Sequence, residues 1–241
     1  MGLKLKRHKF QLSKKDIDNL SCFLYNESNG LLATAFFNFP LSLKRHSVQV
    51  GIIAGRMALH APKTAIPTGV TEEEYAHAVC YGCLYHDIGA YLVYNQHKLY
   101  PAAGERFLRE QLSRDEAISE PVRKIILELV AHSGERHDGG GYPNGIEGDK
   151  IPLHAGICAV ADEVDNKITH QWSSNITKAV ESAKKYIHDN QGAAFSHEAV
   201  ECFKKAYEEI HEFYHNWKDS PPFWNNEDVK PMSKPHDEQF A

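Results

Sequence analysis

Apolar residues recur along most of this chain at intervals of three and four, the period of an α-helix that buries one face. Ile17, Leu20, Phe23 and Leu24 follow Ser13 in this way and predict a helix over 13–27. A second helix is expected from Ser42, with His46, Val50, Ile53, Ala54 and Met57 facing inward and Pro62 ending it. Thr71-Glu72-Glu73-Glu74 reads as a capping box, in which the threonine and the third glutamate satisfy each other's backbone N–H groups. The helix it opens runs through Ala76, Val79, Cys80, Cys83 and Leu84 and stops near Gly89, placing His86 and Asp87 in its last turn.

Pro101 suits the start of the next helix, and Ser119-Glu120-Pro121 starts another through Ile125, Ile126, Leu129 and Val130 to Gly134. From Gly134 to Lys150 the composition turns glycine-rich and predicts an irregular loop. Pro152 begins a helix through Ile157, Val160, Ala161 and Val164, with Asp162 and Asp165 one turn apart. Two further helices are expected at 176–190 and 196–216, the second capped by Ser196. Alternating strand patterns are scarce, so the fold class is all-α, a helical bundle. The expected organisation is an N-terminal helical extension over 1–41, a main domain over 42–216 and a C-terminal tail over 217–241. That tail carries four prolines from Lys218 onward and is expected to lie extended.

Composition narrows the function more than the fold. The 241 residues are 42% hydrophobic and 24% charged, with a formal net charge of -5, so no global field draws the chain to DNA or to an anionic membrane. No apolar run approaches the ~18 residues of a membrane span. Five cysteines, an odd number, point to free thiols in a reducing compartment, and the expected location is the cytoplasm. The Cys80–Cys83 pair lacks the second pair of a zinc site and the βαβ setting of a redox motif, so it reads as helix packing.

The fifteen histidines invite a metal hypothesis. His86-Asp87-Ile88-Gly89 is the strongest local signal, although a histidine packed beneath a helix cap is the better explanation of a His-Asp pair that stands alone. Adjacent helical residues point ~100° apart, so both can face one ion only where the helix frays or several elements converge. His46 lies on the apolar side of its helix, and Asp162 on that of another. Burying an unpaired carboxylate costs several kcal/mol, so an inward Asp162 requires a cation or hydrogen-bond donors.

In this order, His46, then His86-Asp87, then Asp162, the chain resembles the HD superfamily of metal-dependent phosphohydrolases. The stretch ERHDGGGYPNGIEGDKIPLHAGICAVADEVD, with its Gly141-Tyr142-Pro143, is similar to the segment that names the HD-GYP branch. The likeness extends over about residues 42 to 205. It implies that His46, His86, Asp87 and Asp162 hold a divalent ion and that Asp87 takes part in catalysis. Some positions depart from the family: Ala90 replaces a lysine, Tyr100 a histidine, Ser133-Gly134 a pair of histidines, and Ser42 a glutamate found in some members. These losses leave one ion per chain as the expectation, with His97, His132, His137 and Glu135 as candidate substitute or outer ligands and Asp165 as either a direct ligand or a carboxylate that orients a histidine.

A mixed nitrogen and oxygen set suits Fe, Mn, Ni, Co or Zn better than Ca. Arg136 is the nearest cation for a phosphate in the glycine-rich loop, and Tyr142 either stacks on a base or anchors that loop. Two functions follow. One is a phosphohydrolase or phosphodiesterase acting on a phosphorylated small molecule or nucleotide, with cyclic di-GMP the candidate implied by the resemblance. The other is a catalytically degenerate HD-GYP-like module that binds a nucleotide or a protein partner in signalling.

Overall fold

The protein is described here by a computed structural model covering residues 36, 39–93, 95–113, 115–171 and 175–216. The helix expected at 13–27, almost all of the 1–41 extension and the 217–241 tail lie outside the described residues. Among the described residues, eight α-helices with full ranges follow in order: α1 (Leu41–Ala58), α2 (Glu72–Leu84), α3 (Ile88–Leu92), α4 (Tyr100–Leu112), α5 (Glu120–Ala131), α6 (Leu153–Gln171), α7 (Ile176–Asp189) and α8 (His197–Asn216). Among the described residues there is no strand, only an isolated bridge between Gln191 and Phe195. No helix among them is long and apolar enough to cross a membrane.

Local signals set several of these ends. Thr71 and Glu74 form the capping box, with Glu74 N–H donating to the threonine hydroxyl at 3.1 Å and Thr71 N–H donating to the glutamate at 2.8 Å. Ser196 Oγ accepts from Ala199 N–H at 3.2 Å and starts α8. Helix α1 differs from expectation at both ends. Pro40 occupies its cap position, so Ser42 falls inside the first turn, and the helix closes at Ala58, before Pro62. A proline there has no N–H to leave unsatisfied.

Helix α1 is the centre of the bundle, packing against α2, α6 and α8, while α5 covers α2, α7 covers α6, and α3 sits on α4. Its inward side chains Val50, Ile53, Ala54 and Met57 are fully buried, as are Val79 and Cys83 on α2 and Ile157, Val160 and Ala161 on α6. Three of the elements flanking this core therefore also carry the histidines and carboxylates of interest. The Cys80–Cys83 pair is packing, as expected. Both thiols are buried, and burial pushes Cys80 up to about 12, far from the thiolate that redox or metal chemistry needs.

The glycine-rich loop is irregular but extensively tied. His137 N–H and Asp138 N–H donate to the carbonyls of Ala194 and Ala193, at 3.2 and 2.8 Å, and Tyr142 N–H donates to Gly134 at 2.9 Å. A β-carbon on Gly134 would collide with the ring of Tyr142, so glycine is what lets that ring lie against the end of α5.

Candidate metal centre

The periodicity of α2 predicts an unbroken helix to Gly89, but it ends at Leu84. Tyr85 (φ -116°, ψ 9°) and Asp87 (φ -99°, ψ 8°) leave helical geometry, and the chain restarts as α3 at Ile88. That break resolves the angular problem of neighbouring ligands, because His86 and Asp87 now turn to the same point from a bend. His46 reaches it from α1, and Asp162 from α6.

The distances define a cluster. His46 Nε2 is 3.0 Å from Asp162 Oδ1 and 3.9 Å from Asp87 Oδ2, and His86 Nε2 is 3.4 Å from Asp87 Oδ2 and 3.8 Å from Asp162 Oδ1. Among the described residues, His46, His86 and Asp162 each offer a donor atom within 4.8 Å of the others. Donors bound ~2.1 Å from one ion at right angles sit about 3.0 Å apart, so a small inward adjustment brings this set onto a common centre.

Each imidazole is oriented from behind. His46 Nδ1–H donates to Asp165 Oδ2 at 2.8 Å, and that carboxylate is almost fully buried, at 1% exposure. His86 Nδ1–H donates to the Cys83 carbonyl at 2.7 Å, which leaves its Nε2 buried, without a hydrogen-bond partner, facing the two carboxylates. Backing of this kind fixes the tautomer that presents Nε2 to an ion. Asn166 adds a hydrogen bond to Asp162 Oδ1 at 2.9 Å.

The electrostatics follow from this crowding. Burial opposes a charge on His46, yet its hydrogen bonds to Asp162 and Asp165 outweigh burial and hold its pKa well above the ordinary value. His86 is likewise pushed up to about 10, because the charge of Asp87 and the nearby carboxylate of Asp162 overcome burial. Asp162 moves the other way: burial raises it, but the two histidines hold it far below the usual carboxylate range. Protons here stand where a cation would, and a metal ion binds such a set by displacing them. The orphaned Nε2 of His86 and the mixed nitrogen and oxygen donors fit a divalent transition ion.

Among the described residues, the candidate ligand group includes none of His97, His132, His137 and Glu135. His97 is exposed and meets the Tyr142 ring edge-on at 5.8 Å. Burial raises the Tyr142 phenol, and the charges of Asp87 and Asp162 add to that shift. His132 closes α5 with its Nδ1 buried and unpartnered, and so is the Nδ1 of His137 in the loop that follows. Glu135 turns away to the loop, where its two oxygens accept from Asn144 N–H at 2.8 Å and Ile146 N–H at 3.2 Å. Arg136 is engaged by both oxygens of Asp138, at 3.1 and 2.6 Å, and a phosphate would have to compete with that carboxylate. The sequence reading missed Asn166, which helical i,i+4 spacing from Asp162 could have flagged, and the Cys83 carbonyl, for which no sequence signal exists.

A bundle that gathers two histidines and aspartates from α1, the α2–α3 bend and α6 defines a class, and comparison with known proteins agrees with it. Residues 43–167 match the HD domain, and the chain belongs to that family. A cyclic di-GMP phosphodiesterase of Thermotoga maritima is 31% identical over 186 residues, covering 73% of this chain and 47% of that protein. A 3'3'-cGAMP-specific phosphodiesterase 2 of Vibrio cholerae is 26% identical over 175 residues, 64% of this chain and 33% of its own length. The chain thus spans less than half the length of these curated relatives.

Proposed function

We propose that the protein is a metal-dependent phosphohydrolase that cleaves a nucleotide-type phosphoester, with cyclic dinucleotides such as cyclic di-GMP as the substrate class. The observation that carries this reading is the buried, unpartnered Nε2 of His86, set against two carboxylates and a second imidazole. Such a group is costly to bury unless a cation or proton completes it. His46, His86, Asp87 and Asp162 would hold one divalent transition ion per chain, drawn from Fe, Mn, Ni, Co or Zn. When bound, the ion supplies positive charge toward a phosphoryl oxygen and lowers the pKa of water in the site.

The protein's own groups do the rest. Asp87 and Asp162 expose 37% and 35% of their side chains, so a phosphoester can approach from that side. Asp87, at the bend, accepts a hydrogen bond from the attacking water and orients it. The water oxygen bonds to phosphorus, the ester P–O bond breaks, and the water's proton passes to the departing oxygen. Tyr142 offers the flat face on which a base can stack. The relatives' names favour cyclic dinucleotides, whereas the Arg136–Asp138 pairing, together with Ala90 and Tyr100, favours a module that binds a nucleotide or protein partner without cleaving it.

Elemental analysis of protein purified without chelators, joined to chromatographic assays on cyclic di-GMP, 3'3'-cGAMP and an aryl phosphodiester, separates the two. The expected result is one tightly held ion and a metal-dependent rate that falls about 10²-fold or more in Asp87→Ala. Equal rates in wild type and mutant would remove the hydrolase reading, and tight nucleotide binding without turnover would establish the module.

A further inference from the structure

Behind the candidate ligand His46 stands a buried relay that ends on α8. Asp165 Oδ2 accepts from His46 Nδ1 at 2.8 Å, and Asp165 Oδ1 accepts from the hydroxyl of Tyr214 at 2.6 Å. Asp165 is 1% exposed and Tyr214 fully buried, so neither oxygen can turn to water for a substitute donor. We infer that Tyr214 is a positioning residue for the metal centre: by fixing the Asp165 carboxylate, its hydroxyl aims the Nε2 of His46.

Three observations support a directed role over ordinary packing. First, phenylalanine would fill the same space, so the hydroxyl itself must be accounted for, and it goes to the one carboxylate that backs a candidate ligand. Second, the turn that carries Tyr214 is anchored to the helix that carries His46. Arg56 of α1 donates to the Glu209 carbonyl at 2.9 Å and stands over the Phe213 ring at 4.9 Å. Third, burial and the neighbouring Asp165 hold the Tyr214 phenol well above its ordinary pKa, so it remains a donor. Outer partners that orient a ligating histidine typically change metal affinity 10- to 100-fold when removed. Seating of the α8 terminus and readiness of the metal centre are thereby joined through one hydrogen-bonded line.

The inference rests on the metal reading above, and the experiment distinguishes the two. Full-length wild type, Tyr214→Phe and Tyr207→Phe are stripped of metal by chelation and titrated with Co²⁺, following the visible absorption bands and the dissociation constant. Tyr207 is the control because it lies on the same helix and its hydroxyl donates to Glu181, away from the centre. The expected result is that Tyr214→Phe weakens Co²⁺ binding about 10- to 100-fold and alters the absorption bands, while Tyr207→Phe binds as wild type does. Wild-type affinity and spectrum in Tyr214→Phe, or equal weakening in Tyr207→Phe, would overturn the positioning role while leaving the metal reading intact. A wild type that binds no Co²⁺ would overturn the metal reading and this inference with it.

Discussion

Gly89 lies with its Cα pressed against the backbone carbonyl of Tyr100, so close that any β-carbon would overlap it. The contact locks α3 onto the start of α4 and holds open the bend that turns His86 and Asp87 toward one point. Gly104 completes the crossing, its Cα side meeting Ile88 and Val130. Because the obstacle at Gly89 is backbone and not a flexible side chain, Gly89→Ala is expected to cost about 3 kcal/mol, the upper part of the range for overpacking. Urea unfolding checks the loss. Metal affinity should fall with it, since Asp87 is displaced, and wild-type stability in the mutant would show that the bend does not depend on this contact.

Glu135 makes the glycine-rich loop a defined surface. Its carboxylate is 4% exposed and accepts from two loop amides, those of Asn144 and Ile146. Glu135→Ala strands both donors, at an expected cost of about 1–3 kcal/mol. Limited proteolysis should then cut between Gly139 and Lys150 where wild type resists. If Glu135 were a metal ligand instead, the same mutant would lose ion binding with the loop still protected.

His154 at the start of α6 stands 3.5 Å from Glu128 on α5. Contact with His154 outweighs burial and, with Lys124, lowers the Glu128 pKa. A depressed carboxylate stabilises the fold above its unfolded pKa and loses that contribution as pH falls through its folded value. Glu128 is more than a third exposed, so solvent screening limits the effect to about 0.5 kcal/mol. Glu128→Gln should therefore be slightly less stable than wild type at pH 7, with the gap closing as the pH falls below the ordinary glutamate range. A gap unchanged at acid pH would assign the loss to packing.

Short-range features of this protein were legible in its sequence. The Thr71–Glu74 box, the Ser196 cap and the inward faces of α1, α2, α5 and α6 all arise from interactions within a turn or two, which residue types at fixed spacing encode. The candidate site was legible as residue types in a family order, because an Asp162 on the inward side of its helix and a His46 on an apolar face are anomalies that call for a partner. Pro40 shows the limit even at short range: it occupies the cap position without any side-chain hydrogen bond, and Ser42 falls inside the first turn.

Periodicity carried α2 through to Gly89, since nothing within that segment forbids it. The break at Tyr85–Asp87 goes with the Tyr100 carbonyl lying against Gly89, a contact made only when α3 and α4 pack. Glu135 read as a candidate metal ligand and Arg136 as a cation for a phosphate, and the fold turned both onto their own loop. Nothing in the sequence set Tyr214 apart from the rest of its helix, yet packing of α8 on α1 and α6 sets its hydroxyl against Asp165. The sequence by itself determined which segments become helices and which side chains cannot be buried alone, because those are local and compositional free energies. Which buried groups find one another was decided only by the tertiary structure, because partners such as Asp165 and Tyr214 come from separate helices and meet only after those helices pack.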